Sequence, residues 1–253
     1  MRKIIIIFVS ILAIITLTAC GAAAKPEIRP DYIIIKDIKY STDLTSLNLN
    51  WQELTDSDIE PLRQMTGLTE LFLGGNQISD ISALSRLTNL EELDLDGNSI
   101  TDLSPLAELV NLHELGLSYN QITDISTLSN LKNLNWLSAV DNQIADISPL
   151  AGLTSLESLT MNINQISDIS ALNTMTNLKY VQLFGNQIND LTPLEGMTQV
   201  VSLALNDNQI SDITVLKGLT NLTHLLVADN PVSETQIEEL QAALPDCNID
   251  NWG

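Results

Sequence analysis

One repeat constrains this chain more than any other feature: an asparagine returns every 22 residues from position 76 to position 230. Counted from Leu68, positions 1, 4, 6, 11, 14, 17 and 20 are apolar in all seven units between residues 68 and 221, which gives 49 sites without a polar exception. A fixed period of roughly 20 to 30 residues predicts a solenoid, because each unit can bury its apolar face only against its neighbours. The recurring residues are Asn76, Asn98, Asn120, Asn142, Asn164, Asn186, Asn208 and Asn230.

The order of residues within one unit predicts its path. Positions 4 and 6 are apolar and alternate with variable residues, which indicates a short strand, and stacked units then form a parallel sheet. The asparagine follows on a turn, where its amide can pair with backbone groups that no neighbouring strand reaches. The aspartate at position 13 precedes a short I-S-x-L segment and can cap a helical turn on the convex side. We interpret both series as structural, because every repeat needs the same turn.

The segment from 32 to 67 departs from the unit, as expected for an N-terminal cap. Ile33 to Tyr40 predicts a hairpin that turns near Lys36 and covers the first strand edge. An irregular first repeat follows, with Gln52 in the place of the asparagine. The regular array spans residues 68–230.

Residues 231–253 predict a C-terminal cap. Ser233 and Gln236 have the spacing of a capping box, which would open an amphipathic helix that Pro245 stops. A last strand would follow, with Cys247 as a small buried hydrophobic residue.

The N-terminal sequence predicts where the protein is located. Residues 1–19 carry two cations and then an apolar run too short to span a membrane, which is typical of a secretory signal. The sequence around Cys20 resembles the bacterial lipobox, whose cysteine is lipidated and becomes the new N-terminus. Residues 20–31 would form a short linker. We therefore expect an anchor in the bacterial cell envelope, on the outer side of a membrane.

Composition excludes two classes of protein. The chain has 32 acidic against 11 basic residues, a net charge of −21, which excludes a basic nucleic-acid binder. Its hydrophobic content of 44% excludes a disordered acidic tail. Two cysteines, Cys20 and Cys247, are too few for a disulfide framework.

Variable positions 3, 5 and 7 should point from the concave face of the sheet, with position 8 at its rim. Glu70, Glu92 and Glu114 would then stack ~4.8 Å apart beside Asp94 and Asp96, with no lysine or arginine in these rows. Like charges in contact predict a basic partner or a divalent cation such as Ca²⁺, although no cation motif is present and no cofactor is expected. The alternative is that the carboxylates are hydrated and keep the protein soluble.

A second patch is aromatic. Trp136 and Tyr180 lie two strands apart, so their rings could bracket a slot on the order of 10 Å wide. Alongside it would lie Val140, Ile163 and Phe184. Exposed aromatic rings on a polar rim are typical anchors for a protein partner, but a sugar could stack on the same rings, or they could merely cover the sheet. Six of the ten aromatic residues fall on the presented face or rim: Trp51, Phe72, Tyr119, Trp136, Tyr180 and Phe184.

The sequence favours a protein without catalytic activity. It contains no Ser-His-Asp set, no metal-binding H-E-x-x-H and no glycine-rich phosphate loop. Its two histidines, His113 and His224, lie five repeats apart, or roughly 24 Å along the sheet. Glu92 and Glu114 have the residue types of a glycosidase pair, but an open sheet lacks the pocket that separates their pKa values.

The unit N-Q-I-S-D-I-S-x-L-x-x-L-T-N-L resembles the internalin-like leucine-rich repeats of bacterial surface proteins, over about residues 44–249. The resemblance implies an α/β solenoid: a right-handed horseshoe with a parallel concave sheet and short 3-10 or α turns on the convex side. It also implies a module that binds an extracellular protein or peptide through the concave sheet, and we expect a monomer. Cell-wall glycan binding and a purely structural role in the envelope remain the alternatives, and the helical N-terminal cap of internalins is not evident.

Overall fold

Residues 31–251 are described by a computed structural model of the chain. The predicted signal at 1–19, the lipidation site at Cys20 and nearly all of the linker lie outside these residues. Within residues 31–251, no helix is both long and apolar enough to cross a membrane. The strands are β1 Tyr32–Ile35, β2 Ile38–Ser41, β3 Ser46–Asn48, β4 Glu70–Phe72, β5 Glu92–Asp94, β6 Glu114–Gly116, β7 Trp136–Ser138, β8 Ser158–Thr160, β9 Tyr180–Gln182, β10 Ser202–Ala204, β11 His224–Leu226 and β12 Asn248–Asp250.

Strands β3 to β12 form one ten-stranded parallel sheet in chain order. Short helices lie between successive strands on the other side of the core. Two are α-helices, α1 Asp56–Ile59 and α2 Glu234–Ala243. The 3-10 helices are Glu60–Gln64, Ser82–Leu84, Ser104–Leu106, Ser126–Asn130, Ser148–Gly152, Ser170–Thr174, Thr192–Leu194 and Thr214–Gly218.

The core confirms the predicted solenoid. Equivalent residues of successive repeats are direct partners in the sheet, as in the row Glu70, Glu92 and Glu114. All 49 apolar sites are buried, and none is more than 4% exposed. Leucine-rich layers therefore stack between the sheet and the 3-10 helices, and each layer is completed by its neighbours.

Each recurring asparagine bonds to its own repeat and to the one before it. Asn120 Nδ2 donates to the carbonyl oxygens of Leu95 (3.0 Å), Leu117 (3.1 Å) and Ser118 (3.2 Å). Its Oδ1 accepts from the backbone N–H of Ile100 at 2.9 Å. Asn120 is only 8% exposed, so these backbone groups have no access to bulk water. The side chain supplies the hydrogen bonds that the turn itself cannot make.

The aspartates at position 13 fix the start of each 3-10 helix, on the side of the core opposite the sheet. Each accepts a hydrogen bond from the backbone N–H two residues later, which is the first residue of the following 3-10 helix; the bond from Ser104 to Asp102 measures 2.8 Å. This backbone hydrogen bond, with one from the Ser104 hydroxyl, lowers the pKa of Asp102. The seven aspartates that accept this bond are Asp80, Asp102, Asp124, Asp146, Asp168, Asp190 and Asp212.

The N-terminal hairpin is present, with left-handed backbone at Lys36 (φ 44°) and Asp37 (φ 66°) in its turn. It forms a separate two-stranded sheet, and no strand pairing joins it to β3. Ile33 and Ile35 are instead buried in the common core. The hairpin therefore closes the end of the core and does not extend the sheet.

The predicted capping box of the last helix is half formed. Ser233 Oγ accepts from the Gln236 N–H at 3.3 Å, but the Gln236 side chain does not return to Ser233. Its Oε1 accepts from the Ile213 N–H (2.9 Å) and its Nε2 donates to the Ser211 carbonyl (3.0 Å). Gln236 thus ties helix α2 to the last repeat. Cys247 is buried before β12, and burial raises the pKa of its thiol.

Candidate functional site

The face of the sheet opposite the core, called the open face below, carries aligned carboxylates. Glu70, Glu92 and Glu114 begin three adjacent parallel strands in direct register, and Asp94 lies in the next row. None of them takes part in an ion pair of the described chain. The ion pairs between residues 31 and 251 are Arg63–Glu60, Lys179–Glu157 and Lys217–Glu239. The negative charge of the open face therefore lacks an internal cation.

An acidic cavity of about 230 Å³ lies on this face over strands β4 to β7, in the N-terminal half of the sheet. Its principal lining residues are Phe72, Glu92, Asp94, Asp96, Glu114 and Trp136. The sequence predicts an acidic patch and a separate aromatic patch. In the structure the two are continuous, because Trp136 lines the same cavity as the carboxylates. Burial raises the pKa of Glu92, and the charges of Glu114 and Glu70 raise it further. The cavity is thus a place where negative charge is crowded and partly withdrawn from water.

Two glycines keep the carboxylates of this cavity uncovered. A Cβ at Gly74 would lie 2.8 Å from Asp94 Oδ2, and one at Gly116 would lie 2.9 Å from Asp96 Oδ1. Burial and the charge of Asp94 raise the pKa of Asp96, although hydrogen bonds from Ser118 act in the opposite direction. Any longer residue at either glycine position would displace a carboxylate.

Position 7 contributes less to the open face than the sequence predicts. Ser118 and Asn162 are buried, and Val140 is half-buried. Hydrogen bonds between repeats hold polar side chains of this row against the backbone. Asp96 Oδ1 accepts from the Ser118 N–H at 2.6 Å, and Asn162 Oδ1 accepts from the Phe184 N–H at 3.0 Å. Polar side chains at position 7 therefore satisfy backbone donors of the next repeat where the strand has ended.

The aromatic residues at position 3 have the expected register. Trp136 and Tyr180 lie on either side of Ser158, one strand away in each direction. Trp136 is 37% exposed, Tyr180 49% and Phe184 36%. All three rings are accessible to a partner from the open face, and Trp136 is the one that joins the acidic cavity.

The rim has a backbone feature that the sequence analysis missed. Position 8 is left-handed in every repeat, with φ between 50° and 68°. Glycine and aspartate tolerate this conformation, but it costs a β-branched or aromatic residue on the order of 1 to 3 kcal/mol. The recurrence of glycine and aspartate at this position was the available signal. The residues are Trp51, Gly75, Gly97, Tyr119, Asp141, Ile163, Gly185, Asp207 and Asp229.

Between residues 31 and 251, no group of three or more histidine, cysteine, aspartate or glutamate side chains is placed to hold a metal ion.

The repeats match a known family model, described as leucine-rich repeats in two copies, at residues 66–108, 132–174, 156–196 and 176–218. No curated protein matches the chain. The internalin inlF of Listeria monocytogenes is similar in structure, with a TM-score of 0.76 and 33% identity over 86% of this chain and 70% of that one. Internalin C2 of the same species has a TM-score of 0.60 and 31% identity over 84% of each chain.

A more distant likeness shows the fold alone. The leucine-rich-repeat ectodomain of the plant membrane receptor kinase GASSHO1/SCHENGEN3 from Arabidopsis thaliana has a TM-score of 0.70 at 22% identity. It covers 83% of this chain and 27% of that one, and its structure is a complex with Casparian strip integrity factor 2. The family model matches more than half of this chain, and two internalins exceed 30% identity over most of their length. The chain belongs to the leucine-rich-repeat family and is similar to the internalins.

Proposed function

We propose that this protein is a non-enzymatic recognition module that binds a basic protein partner through its open face. One observation carries the proposal: the Trp136 ring borders a cavity of crowded carboxylates that have no internal cation. A partner with lysine or arginine would neutralise this charge, and the ring would supply a rigid apolar contact. The complex formed by the plant receptor ectodomain supports the use of such a scaffold for recognition.

Attachment to a membrane through Cys20 belongs to the same proposal and is supported by the lipobox-like sequence Leu17 to Gly21. We expect Cys20→Ala to move the protein from the membrane fraction to the soluble fraction of an expressing bacterium, because no acyl chain can then be attached. Fractionation followed by immunoblotting measures this, with Cys247→Ala as the matched control. Unchanged membrane association of Cys20→Ala would contradict the anchor.

Binding through the open face should depend on both Trp136 and ionic strength. We expect Trp136→Ala to weaken capture of surface-extract proteins by roughly tenfold or more, because an aromatic anchor is lost. Raising salt from about 0.1 M to about 1 M, which shortens the Debye length from ~10 Å to ~3 Å, should release the same proteins. Quantitative mass spectrometry of proteins retained by the immobilised full-length chain provides the measurement.

Ile38→Ala is the control for this experiment, because Ile38 is an exposed hydrophobic residue on the hairpin, away from the open face. Capture that resists high salt but requires Trp136 would favour the glycan alternative, since stacking on a sugar responds little to salt. Capture unchanged by Trp136→Ala would contradict both binding functions and leave a structural role in the envelope.

A further inference from the structure

A second cavity, the rim cleft, lies beside the acidic cavity and encloses about 290 Å³. Trp51 and Tyr119 stand at its two ends, and Gly75 and Gly97 occupy the two repeats between them. Both rings are unusually accessible, with Trp51 78% and Tyr119 58% exposed. The volume is at the small end for ligand pockets, which suits a single side chain better than a large molecule.

The two glycines determine the shape of the cleft. A Cβ at Gly75 would overlap the Trp51 indole, so this ring lies directly over the Gly75 backbone. A Cβ at Gly97 would meet only backbone atoms of Gly75, at 3.5 Å. The open space is therefore above Gly97, between the Trp51 ring and Tyr119. Gly75, which the Trp51 ring covers, lies two strand spacings, or roughly 10 Å, from Tyr119 along the rim.

Backbone hydrogen bonds fix this spacing. The N–H groups of Gly75 and Gly97 donate to the carbonyls of Asp96 and Ser118 at 2.7 Å, and the N–H of Tyr119 donates to Val140 at 2.7 Å. The chain thus stays in register beyond the ends of the strands. Trp51 and Tyr119 are held at left-handed positions where glycine or aspartate would be less strained.

The inner wall of the rim cleft is anionic. Asp94 and Asp96 line both this cleft and the acidic cavity. Asp94 accepts hydrogen bonds from Asn50 Nδ2 (3.1 Å) and from the Asp96 N–H (2.9 Å), so its carboxylate is fixed in place. No basic side chain of the described chain lines the cleft. Two aromatic side chains and two carboxylates therefore line one opening.

We propose that the rim cleft binds the guanidinium group of an arginine side chain on the partner. This inference rests on the proposed function and names the residue type that the partner inserts. A guanidinium is planar and weakly hydrated, so it stacks on aromatic rings, and its forked donors match a carboxylate. An ammonium group is a strongly hydrated point charge and gains less from two flat walls.

Labelled oligoarginine and oligolysine peptides of equal length test the proposal when titrated into the full-length protein by fluorescence anisotropy. We expect Trp51→Ala and Tyr119→Ala each to weaken oligoarginine binding by roughly 3- to 30-fold. Oligolysine binding should change less than about twofold, because it depends on the carboxylates alone. Tyr32→Ala, which removes an exposed ring from the hairpin, is the matched control and should change neither affinity.

The outcomes separate this inference from the proposed function. Equal losses for both peptides, or unchanged oligoarginine affinity in Trp51→Ala and Tyr119→Ala, would overturn the arginine site while leaving the open-face function intact. Failure of the unmodified protein to bind either peptide at low salt would overturn both. Circular dichroism of each variant confirms that an affinity loss does not come from unfolding.

Discussion

Replacing Asn120 with alanine is expected to lower the free energy of unfolding by about 2 to 4 kcal/mol. The substitution removes an amide that donates to the carbonyls of Leu95, Leu117 and Ser118 and accepts from the Ile100 N–H. The alanine methyl cannot replace these bonds, and a buried backbone group left unpaired costs about 1 to 3 kcal/mol. Partial access of water to the vacated space would keep the total below the sum of the four groups.

Urea denaturation followed by circular dichroism measures this loss, with Asn133→Ala as the matched control. Asn133 also donates through Nδ2 to a carbonyl of the preceding repeat, Val110, at 2.9 Å, but it is exposed. Water can replace that bond, so the control should lose less than about 1 kcal/mol. Equal losses in the two variants would show that burial of the asparagine is not what makes it important.

The repeat made the core and the turns predictable. With a 22-residue period, equivalent positions have the same surroundings in every unit. The path predicted for one repeat could therefore be extended to residues 68–230. The roles of the asparagine and the aspartate followed from the hydrogen-bonding chemistry of their side chains, although the asparagine also bonds to the preceding repeat. The predicted row at position 3 was right, because alternation along a strand fixes the side to which a side chain points and no residue of that row is buried. Position 5 was right only in part, since Gly116, Ser138 and Ala204 are buried.

Apart from the left-handed backbone at position 8, the features that were missed depend on contacts between repeats. Nothing within one unit reveals that Trp51 covers Gly75, because the two residues belong to different repeats and meet only after stacking. The Gln236 side chain likewise bonds to the array and not to its own helix terminus. The burial of Ser118 has the same origin, since its N–H is taken by Asp96 of the preceding repeat. Local rules predict such sites poorly because the partner lies in another unit.

The double variant Glu92→Gln and Glu114→Gln should weaken binding of labelled oligolysine by roughly tenfold to a hundredfold at low salt, because two charges of the acidic cavity are removed. The same variant should be at least as stable as the unmodified protein. In the sheet, Glu92 is directly paired with Glu70 on one side and Glu114 on the other, so its charge faces like charges across both neighbouring strands.

The pKa of Glu92, raised by burial and by its charged neighbours, fixes the sign of the stability effect. A raised pKa in the folded state means that the folded protein holds the proton more tightly than the unfolded chain. The stability that Glu92 contributes by holding this proton is therefore fully present below the ordinary carboxyl pKa. It is lost as pH rises through the raised pKa of Glu92 in the folded state. At neutral pH the charged side chain destabilises the fold, and glutamine removes that cost.

Anisotropy titrations and urea denaturation of one variant therefore test function and stability together. The matched control is Glu108→Gln with Glu195→Gln, which removes the same charge from two exposed residues on the side of the short helices. If carboxylates crowded on the open face are kept for a basic partner, the first pair loses affinity without losing stability, and the control pair changes neither appreciably. A loss of affinity of the same size in the control would mean that net charge alone attracts the peptide. A loss of stability in the double variant Glu92→Gln and Glu114→Gln would mean that these glutamates stabilise the fold. Their crowding would then no longer be evidence for a binding site on the open face.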